Sequence, residues 1–92
     1  MKYVIAYDLE SDAVRARVAE VLLACGERVQ KSVFECTLAP EELDGVVERL
    51  RREIAETPGN VRIYRLCFSC LQSSFGIGEV RTTVDEQNCV IL

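Results

Sequence analysis

Asp8 closes an apolar run, Tyr3-Val-Ile-Ala-Tyr7-Asp8, just before a helical pattern begins. It is the strongest candidate in the chain for chemistry. One carboxylate is a poor cage for a hard cation, because Mg²⁺ takes octahedral oxygen ligation from one or two carboxylates with water and phosphate. A twofold axis near the ends of two first strands would bring a second Asp8 to the same ion. Metal-activated water attacking a phosphodiester, with arginines holding the flanking phosphates, is then a complete hydrolytic route without histidine. The competing reading makes Asp8 a helix cap or a salt-bridge acceptor. The chain contains no histidine at all. Imidazole acid-base chemistry and His-ligated metals are therefore excluded, leaving carboxylates, Cys, Lys and Tyr.

Nine of the eleven basic residues are arginine, the side chain suited to forked contacts with phosphate and carboxylate. Arg15 and Arg17 fall off the apolar stripe of the first helix, near the end of the first strand; they read as a solvated face or as phosphate clamps beside Asp8. Arg49, Arg51 and Arg52 stand among Glu48 and Glu53, which predicts ion pairs along one helix face. Cys67-x-x-Cys70 has the spacing of half a zinc site, but a four-ligand site needs a second pair. Local structure or packing is the favoured reading, ahead of zinc shared between subunits or a redox disulfide. The terminal Cys89-Val-Ile-Leu92 matches a prenylation box, yet acidic rather than polybasic residues precede it, and it reads as an edge strand.

The elements that must position these groups follow from periodicity. Tyr3 to Asp8 is a strand with Tyr3, Ile5 and Tyr7 on one face and Val4, Ala6 and Asp8 on the other. Val14, Val18, Val21, Leu22 and Cys25 recur at helical spacing, predicting a helix from about Asp12 to Cys25 that Gly26 closes. Between Glu27 and Leu38 the pattern is extended but changes phase near Lys31-Ser32, as a bulge or a tight turn would produce, either dividing the run into the two strands of a hairpin or kinking one long strand; no Asn-Gly or Gly-Gly signal decides between them. Pro40 opens a second helix with the stripe Leu43, Val46, Val47, Leu50 and Ile54, ending before Thr57-Pro-Gly-Asn60. Val61 to Leu66 alternates as a strand. Residues 1–66 thus form an α+β core, a ferredoxin-like β-α-β-β-α-β sandwich with both helices on one face. Residues 67–92 make a C-terminal extension. In it, 67–78 is loop-like, and two short extended runs, 79–84 and 89–92, are suited to pairing across a dimer.

Ninety-two residues make one domain, and a domain of this size buries only roughly 60 to 65% of its unfolded surface, so a partner subunit would help it. The sheet face without helices needs a cover, and a second copy is the natural one. Net charge is −4, which argues against coating nucleic acid by bulk attraction but leaves room for a local arginine patch. No run is long enough to cross a membrane, no signal peptide is legible, and the five cysteines suit a reducing, cytoplasmic setting.

Taken together, several segments resemble the small CRISPR-associated Cas2 family. They are Tyr3-Val-Ile-Ala-Tyr7-Asp8, Arg15-Ala-Arg17-Val-Ala19 with Leu22, Gly26-Glu-Arg28-Val-Gln30, Ser32-Val-Phe34-Glu-Cys36 and Val61-Arg-Ile-Tyr64. The resemblance implies a ferredoxin-like homodimer whose sheets face each other and whose C-terminal strand joins the partner's sheet. It places the family's acid, catalytic and metal-binding, on Asp8. Its nucleic-acid-binding arginines fall on Arg15, Arg17 and Arg28, with Tyr7 and Phe34 in support. It also implies Mg²⁺ or another divalent cation, a Cas1-type integrase as partner, and protospacer DNA or RNA as the nucleic acid. The resemblance implies two roles, a subunit gripping DNA in spacer integration or a metal-dependent endonuclease on single-stranded RNA or duplex DNA. The architecture by itself, which hosts unrelated functions, leaves a third, a ferredoxin-like small-molecule regulatory module.

Overall fold

The computed structural model describes residues 1–78. The core elements follow one another in the expected order: β1 (Lys2–Leu9), α1 (Asp12–Leu23), a hairpin of β2 (Gly26–Gln30) and β3 (Val33–Thr37), α2 (Pro40–Ile54) and β4 (Gly59–Leu66). The sheet order is β2-β3-β1-β4 with every neighbour antiparallel. That order, with α1 and α2 packed on one face, is the ferredoxin-like arrangement.

The alternation read in β1 sets which face is covered. Tyr3, Ile5, Tyr7 and Leu9 are buried against Val14, Val18, Ala19 and Leu22 of α1 and Leu50 of α2, with Phe34 and Cys36 contributed by β3. In α1 the Ser11 hydroxyl accepts the Val14 amide proton at 3.2 Å, closing an N-terminal orphan donor. In α2 Pro40 fills the first turn, and the Glu42 carboxylate accepts the Ala39 N–H at 2.7 Å.

Local details differ from the pattern in the sequence. The first helix stops at Leu23, and Gly26 begins β2 instead of closing α1. A side chain there is barred because a Cβ would lie 2.2 Å from the Glu35 carbonyl oxygen and 2.5 Å from Cys36 Sγ. The phase change before β3 comes from a bulge and a turn together, a register shift between Arg28 and Gln30 and a turn at Lys31-Ser32. The 67–78 segment is not all loop, since Phe68–Gln72 forms a short helix, α3, with Cys67 as its N-cap. Finally, the ion pairs expected along α2 do not form among the described residues: Glu53 instead reaches across to Arg17 of α1, Oε1 to Nε 2.7 Å. The extended runs 79–84 and 89–92 lie outside the described residues.

No helix among the described residues is long and apolar enough to cross a membrane.

Candidate functional site

The strand that carries Asp8 is central, paired on both sides, and Asp8 emerges near its C-terminal end on the face the helices do not cover. That face also carries Val4 and Ala6 of β1, Val33 and Glu35 of β3, and Arg62, Tyr64 and Leu66 of β4, in direct cross-strand register. Val4, Ala6, Val33 and Leu66 are half-buried, while Tyr64 is 51% exposed. Lys2 lies on the same face with its side chain only 4% exposed and its ammonium 3.6 Å from Glu35.

Asp8 is exposed and opposes Asn60 across β1 and β4. With Ala6, Tyr7, Arg62 and Tyr64 they line a recess of about 380 Å³. Gly59 makes this edge possible. It has φ +123°, and a Cβ on it would lie 2.1 Å from the Asp8 carbonyl oxygen. The strands close at Asp8 only because residue 59 has no side chain.

The chemistry open to this recess is that of one acid beside amide, guanidinium and phenol groups. No cluster of three or more His, Cys, Asp or Glu side chains able to hold a metal ion occurs among the described residues. Asp8 offers one hard oxygen donor and Asn60 a neutral one, which fits the divalent-cation role only when further ligands come from beyond one protomer.

The arginines are distributed differently. Arg15 donates from Nη1 to the carbonyl oxygens of Leu9 at 2.6 Å and Glu10 at 3.0 Å, and pairs with Asp12. It thereby locks the corner that follows Asp8. Arg17 sits on the helical layer in its ion pair with Glu53. Arg28 lies over the Phe34 ring, 5.1 Å from its centroid, with Nη2 3.5 Å from the Tyr7 hydroxyl. Tyr7 and Phe34 stack with centroids 6.2 Å apart. Tyr7, Arg28 and Phe34 are therefore brought together, but on the helix-covered side of the sheet, whereas Asp8 leaves from the opposite side. Nothing in the sequence pattern singles out Asn60 or Lys2, and Arg62 and Tyr64 read there only as strand residues. Their alternation is visible, but the register that sets them beside Asp8 is not.

Cys67 and Cys70 are exposed, and Cys67 Sγ accepts the Cys70 N–H at 3.4 Å. Donation from the Cys70 amide and thiol holds Cys67 below the usual thiol range, and the same pairing pushes Cys70 up.

A family model described as CRISPR-associated protein Cas2 matches residues 1–74. The chain belongs to the Cas2 family. It is 40% identical over 80 residues to a protein of Chloroflexus aurantiacus named CRISPR-associated endoribonuclease Cas2, covering 86% of each chain. Among solved structures, Cas2 of Streptococcus pyogenes superposes with a TM-score of 0.72 at 28% identity, over 85% of this chain and 100% of that one. A chain of a partial Cas6-RT-Cas1–Cas2 complex superposes with a TM-score of 0.72 at 30% identity, covering 83% of this chain and 89% of the other. The ferredoxin-like sheet order is thus that of a Cas2 fold.

Proposed function

We propose that this chain is a dimeric subunit of a spacer-integration complex, gripping protospacer DNA beside a Cas1-type integrase. The observation that carries the reading is the sheet face its own helices leave uncovered, with half-buried Val4, Ala6, Val33 and Leu66 at its centre and Asp8 at its rim. A second copy laid on that face buries the apolar strip and sets two Asp8 side chains near one axis. The likeness to a chain of a Cas1–Cas2 complex supports the integrase as partner.

A second reading, a metal-dependent endonuclease on single-stranded RNA or duplex DNA, is favoured by the exposure of Asp8 and by the names of the relatives. Two Asp8 carboxylates about 4 to 5 Å apart would hold one divalent ion. When bound, the ion would supply positive charge for the scissile phosphate. Asp8 would hold the ion, and Arg62, which lines the same recess, would meet a phosphate oxygen.

Asp8→Ala separates the two roles. Spacer acquisition is expected to persist in cells, while any divalent-dependent cleavage by the purified protein falls on the order of a hundredfold or more. Loss of acquisition together with cleavage would replace the platform role with an essential nuclease.

The arginine clamps are tested by salt. Replacing Arg15 and Arg17 by Gln is expected to weaken duplex binding and to flatten log K against log salt by roughly 0.9 for each phosphate no longer neutralised. Circular dichroism checks the Arg15 corner, and an unchanged slope in a folded variant would remove both residues from the DNA interface.

A further inference from the structure

Away from the open sheet face, two free thiols meet across two elements. Cys25 follows α1 and Cys36 lies in β3, and their sulfurs are 3.8 Å apart. Cys36 is fully buried. Cys25 is half-buried and lines a groove of about 710 Å³ between α1 and α2. Its neighbour Gly26 pairs with Cys36 in register, and the missing Cβ at Gly26 leaves the space that Cys36 Sγ fills. Disulfide bonds are about 2.05 Å long, so the two sulfurs must approach by roughly 1.8 Å to form one.

We infer that Cys25 and Cys36 form a reversible intramolecular disulfide by exchange with a small anionic disulfide that enters the α1–α2 groove. Cys25 is the attacking group because it lines the groove and is only half-buried; Cys36 is the resolving group because it touches Cys25 and is closed to solvent. The Cys25 thiolate attacks one sulfur of the small disulfide, forming a mixed disulfide and releasing one thiolate. Cys36, losing its proton to that leaving thiolate, attacks Cys25 Sγ and expels the second. Two protein thiols are oxidised and one small disulfide is reduced to two thiols; the first takes the Cys36 proton, and the second takes from water the proton that Cys25 gave up on ionising.

The surroundings favour that order. Hydrogen bonding from the Cys36 thiol lowers the Cys25 pKa to about 7, while the same bond and burial push Cys36 up. Cys25 Sγ lies 3.5 Å from the carbonyl oxygens of Val21 and Leu22, to which its thiol donates when protonated. Charged groups on the groove walls are Arg17, Arg49 and Arg52 with Glu20, Glu42 and Glu53, and Lys2 and Glu35 act on Cys36 from the sheet side. Arg17 is engaged by Glu53, whereas Arg49 and Arg52 have no ion pair among the described residues and are available to carboxylates of the small disulfide.

The test uses the full chain with Cys67, Cys70 and Cys89 replaced by Ser, exposed to glutathione disulfide and followed by intact mass and tryptic mapping. The expected product is peptide 18–28 linked to peptide 32–49, restored to free thiols by dithiothreitol. Cys36→Ala should instead accumulate the Cys25–glutathione mixed disulfide, and Cys25→Ser should leave Cys36 unreacted. Native alkylation of Cys25 by iodoacetamide should rise with a midpoint near pH 7 and move upward in Cys36→Ala. Arg49→Gln with Arg52→Gln should slow reaction with glutathione disulfide by roughly threefold or more while sparing the neutral 2-hydroxyethyl disulfide. If Cys36→Ala does not fold, mapping of the unsubstituted oxidised chain decides the linkage. Unmodified thiols in the folded chain, or Cys25 stopping at the mixed disulfide with Cys36 present, would overturn the pair; equal rates in the arginine variant would overturn the anionic partner.

Discussion

Phe34→Ala is expected to cost about 3 to 5 kcal/mol of stability, a large part of the 5 to 15 kcal/mol on the order of which a domain stands. Phe34 is fully buried, opposes Ile5 in the central strand pair and stacks on Tyr7. Truncation removes a ring that neighbouring elements cannot refill, because β1 and β3 are fixed by their ladder and α1 by its own stripe on the same strands. Urea unfolding should show a lower midpoint with an unchanged slope. Phe34→Leu is the informative control: it keeps most of the volume at less than roughly 1.5 kcal/mol, but takes away the ring under Arg28. A variant that keeps its fold yet binds duplex DNA less tightly would assign Phe34 to the positioning of Arg28. A loss below about 1 kcal/mol for Phe34→Ala would mean that the ring is not central to the core.

Gly59→Ala is expected to be nearly as damaging, through the backbone. The φ of +123° is available to glycine and strained for alanine, and the added Cβ overlaps the Asp8 carbonyl oxygen at 2.1 Å and Leu9 Cα at 2.9 Å. Both neighbours are backbone, so neither can swing away. We expect a destabilisation of roughly 3 kcal/mol or more, with faster hydrogen exchange at amides of the β1–β4 pair near Asp8 and Asn60. The same substitution should displace Asp8 relative to Arg62, so functions that depend on Asp8 should fall even in the fraction that remains folded. Unchanged stability and exchange would show that β4 can start without the close approach.

Much of this is legible in the chain. The parity of Tyr3, Ile5 and Tyr7 against Val4, Ala6 and Asp8 separates the buried and open faces of β1, because a strand repeats every two residues and only one face meets the helices. Pro40 and the stripe through Leu50 place α2 for the same kind of reason. The ends are less legible. Gly26 reads as a helix stop, but its role is steric, beneath Cys36, and that contact joins residues ten apart across a turn. The helix α3 escapes the pattern because five residues are too few for a period to emerge.

Ion pairs are the least legible of all. Neighbours along a helix are fixed by its pitch, so Glu48, Arg49, Arg52 and Glu53 invite a local assignment. Glu53 instead meets Arg17, since the packing of α1 on α2 brings that guanidinium to 2.7 Å. Arg15 likewise turns toward the carbonyls of Leu9 and Glu10, a choice of partner set by the β1–α1 corner.

By itself the sequence determined the order of elements, the covered face of the sheet and the emergence of Asp8 from the other one, all properties of local periodicity. The tertiary structure alone decided what stands beside each group: Asn60, Arg62 and Tyr64 next to Asp8, Phe34 under Arg28, and Cys36 against Cys25. Those neighbours depend on strand register and helix packing, which join residues far apart in the chain and leave no periodic trace in it.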